Sequence, residues 1–188
     1  LGYKPVESGW VEGRGSDAAS LARAAGHVCL RPAFCFAAGV APHLAARREG
    51  RRVELPAIVA AVDALVGVSC VVVETAGGLL SPLAHDATNL DLVKRLAGAA
   101  IVLVAPDRLG VLHDVRAATL ALSSAELTAQ VVLCTSDQAD DPAAGTNADE
   151  LLWLGWTDVK PVVFPRASAT SGATAAAASA LADQLGCS

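Results

Sequence analysis

Three valines, Val71-Val72-Val73, run into a carboxylate, Glu74, and then into Thr75-Ala76-Gly77-Gly78. An unbroken β-branched run reads as a buried strand, and the glycine pair after it lets the backbone turn tightly and approach a ligand closely. Ligands of open α/β sheets sit beyond the carboxyl ends of strands, which is where this pattern puts Glu74. A carboxylate there suits magnesium, which binds through one or two carboxylates together with substrate phosphates. The opening segment, Gly2-Tyr3-Lys4-Pro5-Val6-Glu7-Ser8-Gly9, leaves a lysine at the same end of another strand. Pro5 fixes its own φ and biases Lys4 toward an extended backbone. Lys4 reads either as an ordinary surface amine or as a cation aimed at phosphate or carboxylate oxygens, with the Ser8 hydroxyl and the Gly9 N–H nearby. Ser16-Asp17 reads first as helix capping. Arg108-Leu109-Gly110, ahead of a helical pattern, sets a cation and N–H groups where an anion could bind. His113, one turn on, faces the same place or lies on the helix surface. His43 reads as a structural contact, and His27 and His85 carry no usable signal.

The elements that position these residues alternate between strand and helix, the signature of a parallel sheet built from βαβ units. Strands are expected at residues 3–6, 70–73, 100–105, 130–134 and 161–164, five in all. Helices are expected at 16–25, 42–50, 55–65, 88–96, 110–122, 149–154 and 173–185. The segment 31–36 reads as a loop and 137–147 as a polar loop. The fold class is α/β, a mostly parallel sheet with helices on both faces, and residues 1–188 read as a single domain.

Composition excludes several classes. The net charge of −5 and the lack of basic clusters beyond Arg47-Arg48 and Arg51-Arg52 argue against nucleic acid as a partner. No apolar run reaches the roughly 18 residues that a bilayer span needs, and Lys4-Pro5 and Glu7 interrupt any signal-peptide core. Five cysteines without a CxxC pair read as reduced thiols, so a cytoplasmic protein is expected. A chain that starts Leu1-Gly2-Tyr3 and holds no methionine reads as a piece of a longer protein.

The segment from Gly2 to Gly9, Ser16-Asp17, Ala41-Pro42-His43 with Glu49-Gly50, Glu74-Thr75-Ala76-Gly77-Gly78 and Arg108-Leu109-Gly110 follow one another in an order and spacing that closely resemble dethiobiotin synthetase. The resemblance covers nearly the whole chain. It implies a P-loop NTPase fold, a homodimer, and ATP-dependent closure of the ureido ring of dethiobiotin from 7,8-diaminononanoate and CO2, with magnesium. It makes Lys4 the cation that neutralises the substrate carbamate and the transferring phosphoryl group. Asp17 and Glu74 become magnesium ligands, with Glu74 also on the nucleotide side. Ser8, Thr75, Gly77 and Gly78 become substrate contacts. Arg108, Leu109, Gly110 and His113 become the loop and helix start that bind the substrate carboxylate from the partner subunit. Phe164, Pro165 and Arg166 become the lining of the adenine pocket. Thr75 stands where better-known members carry glycine, and His113 where asparagine is common. The segment Cys134-Thr135-Ser136-Asp137 replaces the usual asparagine-aspartate near adenine.

The family also carries a first strand and a phosphate loop ending in Gly-Lys-Thr, and this sequence has no Gly-Lys pair. The resemblance therefore implies about three dozen missing upstream residues, judged from a strand–loop–helix unit of roughly thirty. A non-catalytic dimeric module of the same superfamily is the alternative. A cobyrinate-amidase-type enzyme would need an amidotransferase domain for which 188 residues leave no room.

Overall fold

The computed structural model describes residues 1–11, 16–65, 67–135, 141–166 and 171–186. The chain packs as two compact units, Leu1–Ala97 and Gly98–Ser188. All the paired strands run parallel, and seven helices accompany them among the described residues, so the expected α/β class is what forms.

The first unit holds β1 (Gly2–Tyr3), β2 (Val6–Ser8), α1 (Asp17–Ala24), β3 (Phe34–Phe36), α2 (Pro42–Arg48), α3 (Leu55–Asp63), β4 (Val72–Val73) and α4 (Asn89–Arg95). Strand β1 pairs with β4, with Tyr3 opposite Val73, and β2 pairs with β3, with Ser8 opposite Phe36. The strand expected at residues 3–6 is therefore two strands in two ladders. The break falls at Lys4-Pro5, because proline has no N–H to give a ladder. The segment 31–36, read as a loop, contains β3. Its three residues, Phe34-Cys35-Phe36, are too few for alternation to be legible, and the two aromatic rings stack at 6.4 Å. Val6, Phe36, Ala45, Ile58, Leu83 and Leu92 build one core that joins these strands to α2, α3 and α4. Thr88 and Asp91 close α4 with the reciprocal hydrogen bonds of a capping box.

The second unit holds β5 (Val102–Asp107), α5 (Val111–Ser123), β6 (Gln130–Thr135), α6 (Asn147–Trp153), β7 (Val162–Phe164) and α7 (Gly172–Leu185), with strand order β5-β6-β7. Because side chains alternate across a strand, Ala105, Val131 and Leu133 pack on Val111, Val115 and Leu151 of α5 and α6. On the opposite face, Val132 and Val162 pack on Ala177 and Leu181 of α7. Val102 and Val104 share that second face on β5 but are 37% and 60% exposed. Strand pieces number seven among the described residues, against the five expected, and no helix there is long and apolar enough to cross a membrane.

Candidate active site

Lys4 lies between β1 and β2, and its backbone position is set by the parallel pairing on either side of Pro5. Only 5% of the residue is exposed, so the amine cannot rely on bulk water. Its Nζ donates to Glu74 Oε1 at 2.6 Å and pairs with Asp17 Oδ2 at 2.9 Å; a longer contact of 3.4 Å reaches the Thr75 carbonyl. Burial alone would lower the amine's pKa, but the bonds to Glu74 and Asp17 outweigh it and hold the pKa above the ordinary lysine value. Lys4 is buried and ion-paired, not an ordinary surface amine. Both carboxylates keep an open side, with Asp17 and Glu74 side chains 63% and 45% exposed.

Asp17 reaches this place because α1 starts there. Ser16 is the N-cap, its Oγ accepting the Ala19 N–H at 3.1 Å, as the sequence suggests. A second carboxylate does more of the capping than the sequence reveals. Glu7, buried on β2, accepts the N–H groups of Asp17 at 2.8 Å and Ala18 at 3.4 Å. Asp17 is thereby left free to face Lys4. Ser8 ends β2 half-buried, and Gly9 after it donates its N–H to the Ala38 carbonyl.

After Glu74 the chain turns through Gly77, whose φ of +81° suits glycine; a Cβ there would meet Ser81 Oγ at 2.8 Å. Asn89, the first residue of α4 and 1% exposed, donates Nδ2 to the carbonyls of Ala76 at 2.9 Å, Gly78 at 2.8 Å and Gly77 at 3.4 Å. The Thr75 hydroxyl donates to the Gly77 carbonyl at 3.4 Å. Sequence reasoning missed Asn89, seeing in Thr88-Asn89-Leu90-Asp91 only a helix start.

In the second unit, Arg108 follows β5 and pairs its Nη2 with Asp114 at 2.8 Å, while Nη1 donates to the Leu109 carbonyl. Asp141 Oδ2 accepts the Leu109 N–H at 2.6 Å, and this bond with that from Ala143 holds the Asp141 carboxyl below the usual range. Leu109 and Gly110 are exposed, Gly110 adopts φ +92° at the start of α5, and His113 lies exposed on that helix. Beneath the loop, buried Asp107 accepts from Asn147 Nδ2 at 2.6 Å and from the Gly145 N–H at 2.8 Å. Asp107 and Asn147 were also invisible in sequence, since nothing local links residues forty apart. Phe164 closes β7, its carbonyl accepting from the Thr135 hydroxyl at 3.1 Å; Pro165 and Arg166 follow. Ser136 and Asp137 lie outside the described residues.

A parallel α/β chain with a lysine and two carboxylates gathered at strand ends has the equipment of a nucleotide-dependent phosphoryl-transfer enzyme. In keeping with that, a family model described as an AAA domain matches residues 2–158. The chain is 42% identical over 159 residues to the ATP-dependent dethiobiotin synthetase of Anaeromyxobacter dehalogenans strain 2CP-C, covering 82% of this chain and 71% of that protein. It is 37% identical over 186 residues to the enzyme of the same name from Rhodopirellula baltica, covering 87% and 72%. With the enzyme of that name from Lawsonia intracellularis it shares 27% over 157 residues, covering 84% and 71%. The chain belongs to the dethiobiotin synthetase family.

Proposed function

We propose that this chain, together with a phosphate-loop segment, catalyses ATP-dependent ring closure of 7,8-diaminononanoate with CO2 to give dethiobiotin, as a ligase of biotin biosynthesis. The observation that carries the reading is the convergence of Asp17 and Glu74 on the Lys4 amine, within a chain of this family. A substrate carbamate and the γ-phosphoryl group of ATP are both anionic, so their reaction must overcome mutual repulsion. Lys4, placed beside two carboxylates by an extended backbone, supplies a positive charge to these anions. The carbamate oxygen takes the γ-phosphoryl group as ADP leaves, and the second substrate amine then attacks the carbon of this mixed anhydride, losing a proton, closing the ring and releasing phosphate. Ser8, Thr75, Gly77 and Gly78 bind and orient the diamine. Arg108, Leu109, Gly110 and His113 take the substrate carboxylate across a homodimer, and Phe164, Pro165 and Arg166 line the adenine.

The carboxylates fit a magnesium ion. They already converge on one cation, and each is exposed enough to accept another. Magnesium takes its remaining ligands from water and phosphates. Magnesium held by Asp17 and Glu74 would supply charge to the phosphoryl group in transfer.

The phosphate cradle is a separate matter, because these residues contain no Gly-Lys pair. We assign it to a strand and phosphate loop outside these 188 residues. The absent Gly-Lys pair equally favours a second reading, a dimeric module that binds substrate without turnover. The coding sequence upstream of Leu1, followed by an assay of the protein it encodes, separates the two: an in-frame loop ending in Gly-Lys-Thr or Gly-Lys-Ser with dethiobiotin formed supports the enzyme, and a start at or near Leu1 with diamine binding but no product supports the module.

A further inference from the structure

The turn after Glu74 has an asymmetry that its glycines do not explain. Its carbonyls at Ala76, Gly77 and Gly78 all accept from one side-chain amide, Asn89 Nδ2, with the Thr75 hydroxyl also on Gly77 and the Ser81 N–H also on Gly78, while the N–H groups of Gly77, Gly78 and Leu79 donate to no acceptor among the described residues. A buried donor shared by three carbonyls has only one workable orientation. Flipping the amide would set its oxygen against three oxygens. Asn89 Oδ1 itself is buried with no donor, so this residue is tolerated in the core for what Nδ2 does. The loop is tied to α4 by backbone bonds as well, Leu90 N–H to the Leu79 carbonyl and Asn89 N–H to the Ser81 carbonyl. Those bonds fix where the loop lies. The Nδ2 bonds fix which way its peptide planes face.

We infer that Asn89 is a positioning residue for the reaction: by gathering the carbonyls of residues 76–78, it keeps the amides of Gly77 to Leu79 free to meet the anionic oxygens of the substrate. It touches no substrate itself and acts through the turn. The inference rests on the function proposed above. Free backbone amides in succession form a concavity for anions, and their worth depends on staying oriented before the ligand arrives.

The test uses the complete protein, phosphate loop included, with 7,8-diaminononanoate, bicarbonate and magnesium-ATP. Asn89→Asp preserves shape but sets an acceptor against three carbonyls, Asn89→Leu removes the donor while keeping the branching, and Asn89→Ser keeps one donor. The Asp and Leu variants should raise KM for the diamine about tenfold or more, with KM for ATP within about twofold; Ser should restore the diamine KM to within about threefold. Parallel rises in both KM values, or Asp and Leu variants with an unchanged diamine KM, overturn the inference. Should those variants not fold, backbone amide NMR of the unmodified protein decides. The Gly77, Gly78 and Leu79 signals should shift on adding diamine and bicarbonate, while the Asn89 side-chain protons stay protected from exchange; unshifted amides overturn the assignment. An unmodified protein that neither binds nor converts the diamine refutes the function itself, whereas an active one with indifferent Asn89 variants refutes only the role of Asn89.

Discussion

Lys4 and Glu74 are 70 positions apart in the chain, and their Nζ and Oε1 atoms lie 2.6 Å apart. The parallel pairing of β1 with β4 creates that meeting, since Tyr3 opposite Val73 brings the next residues on each strand to the same end. Removing the amine should therefore remove chemistry before it removes the fold. Lys4→Met keeps the apolar stem and should lower kcat by about a hundredfold or more, with a stability loss of about 1 kcal/mol because both partner carboxylates are partly solvated. Glu74→Gln should also abolish turnover. Steady-state dethiobiotin formation with thermal melts checks both, and near-normal kcat in either variant is incompatible with the assigned roles.

The same ion pairs set a pH dependence. The folded pKa of Lys4 lies above the ordinary value, so its contribution to stability is complete below about pH 10 and is lost as pH rises through the folded value. Unmodified protein and Lys4→Met should thus differ in stability by a constant amount across neutral pH, the gap closing in strong alkali. A gap that closes between pH 6 and 8 would mean that another group carries the effect.

At α4 the sign runs the other way. Hydrogen bonds from the Thr88 N–H and hydroxyl depress the Asp91 pKa, so that stabilisation exists above about pH 4 and fades as the carboxyl protonates below it. Asp91→Asn should cost about 0.5–1 kcal/mol at neutral pH. Denaturant melts from pH 7 to pH 3 should show the variant and the unmodified protein converging at the acid end; a pH-independent difference would point to packing instead.

If Arg108 binds the substrate carboxylate across a dimer, Arg108→Ala should raise KM for the diamine about tenfold while leaving KM for ATP nearly unchanged. Sedimentation of the unmodified protein should give a dimer. Equal rises in both KM values, or a fully active monomer, would exclude the arrangement.

Much of the site was legible because it is local in sequence. Ser16 and Thr88 announce helix starts, and Val71-Val72-Val73-Glu74 announces a strand ending on a carboxylate. What escaped was long-range. Glu7 caps a helix ten residues on, Asn89 ties down a turn more than ten residues before it, and Asp107 meets Asn147 forty residues away. Each follows a local pattern with an ordinary reading of its own, and only tertiary pairing reveals the partner. The strand expected at residues 3–6 breaks for a local reason: Pro5 holds Lys4 extended, but its missing N–H also ends the ladder.

The most direct measurement is product formation by this chain joined to an upstream strand and Gly-Lys-Thr phosphate loop, incubated with 7,8-diaminononanoate, bicarbonate, magnesium and ATP. The account predicts dethiobiotin in stoichiometric step with phosphate release, and neither product from the 188 residues alone. ATP hydrolysed without dethiobiotin, or ring closure by the unextended chain, would contradict it.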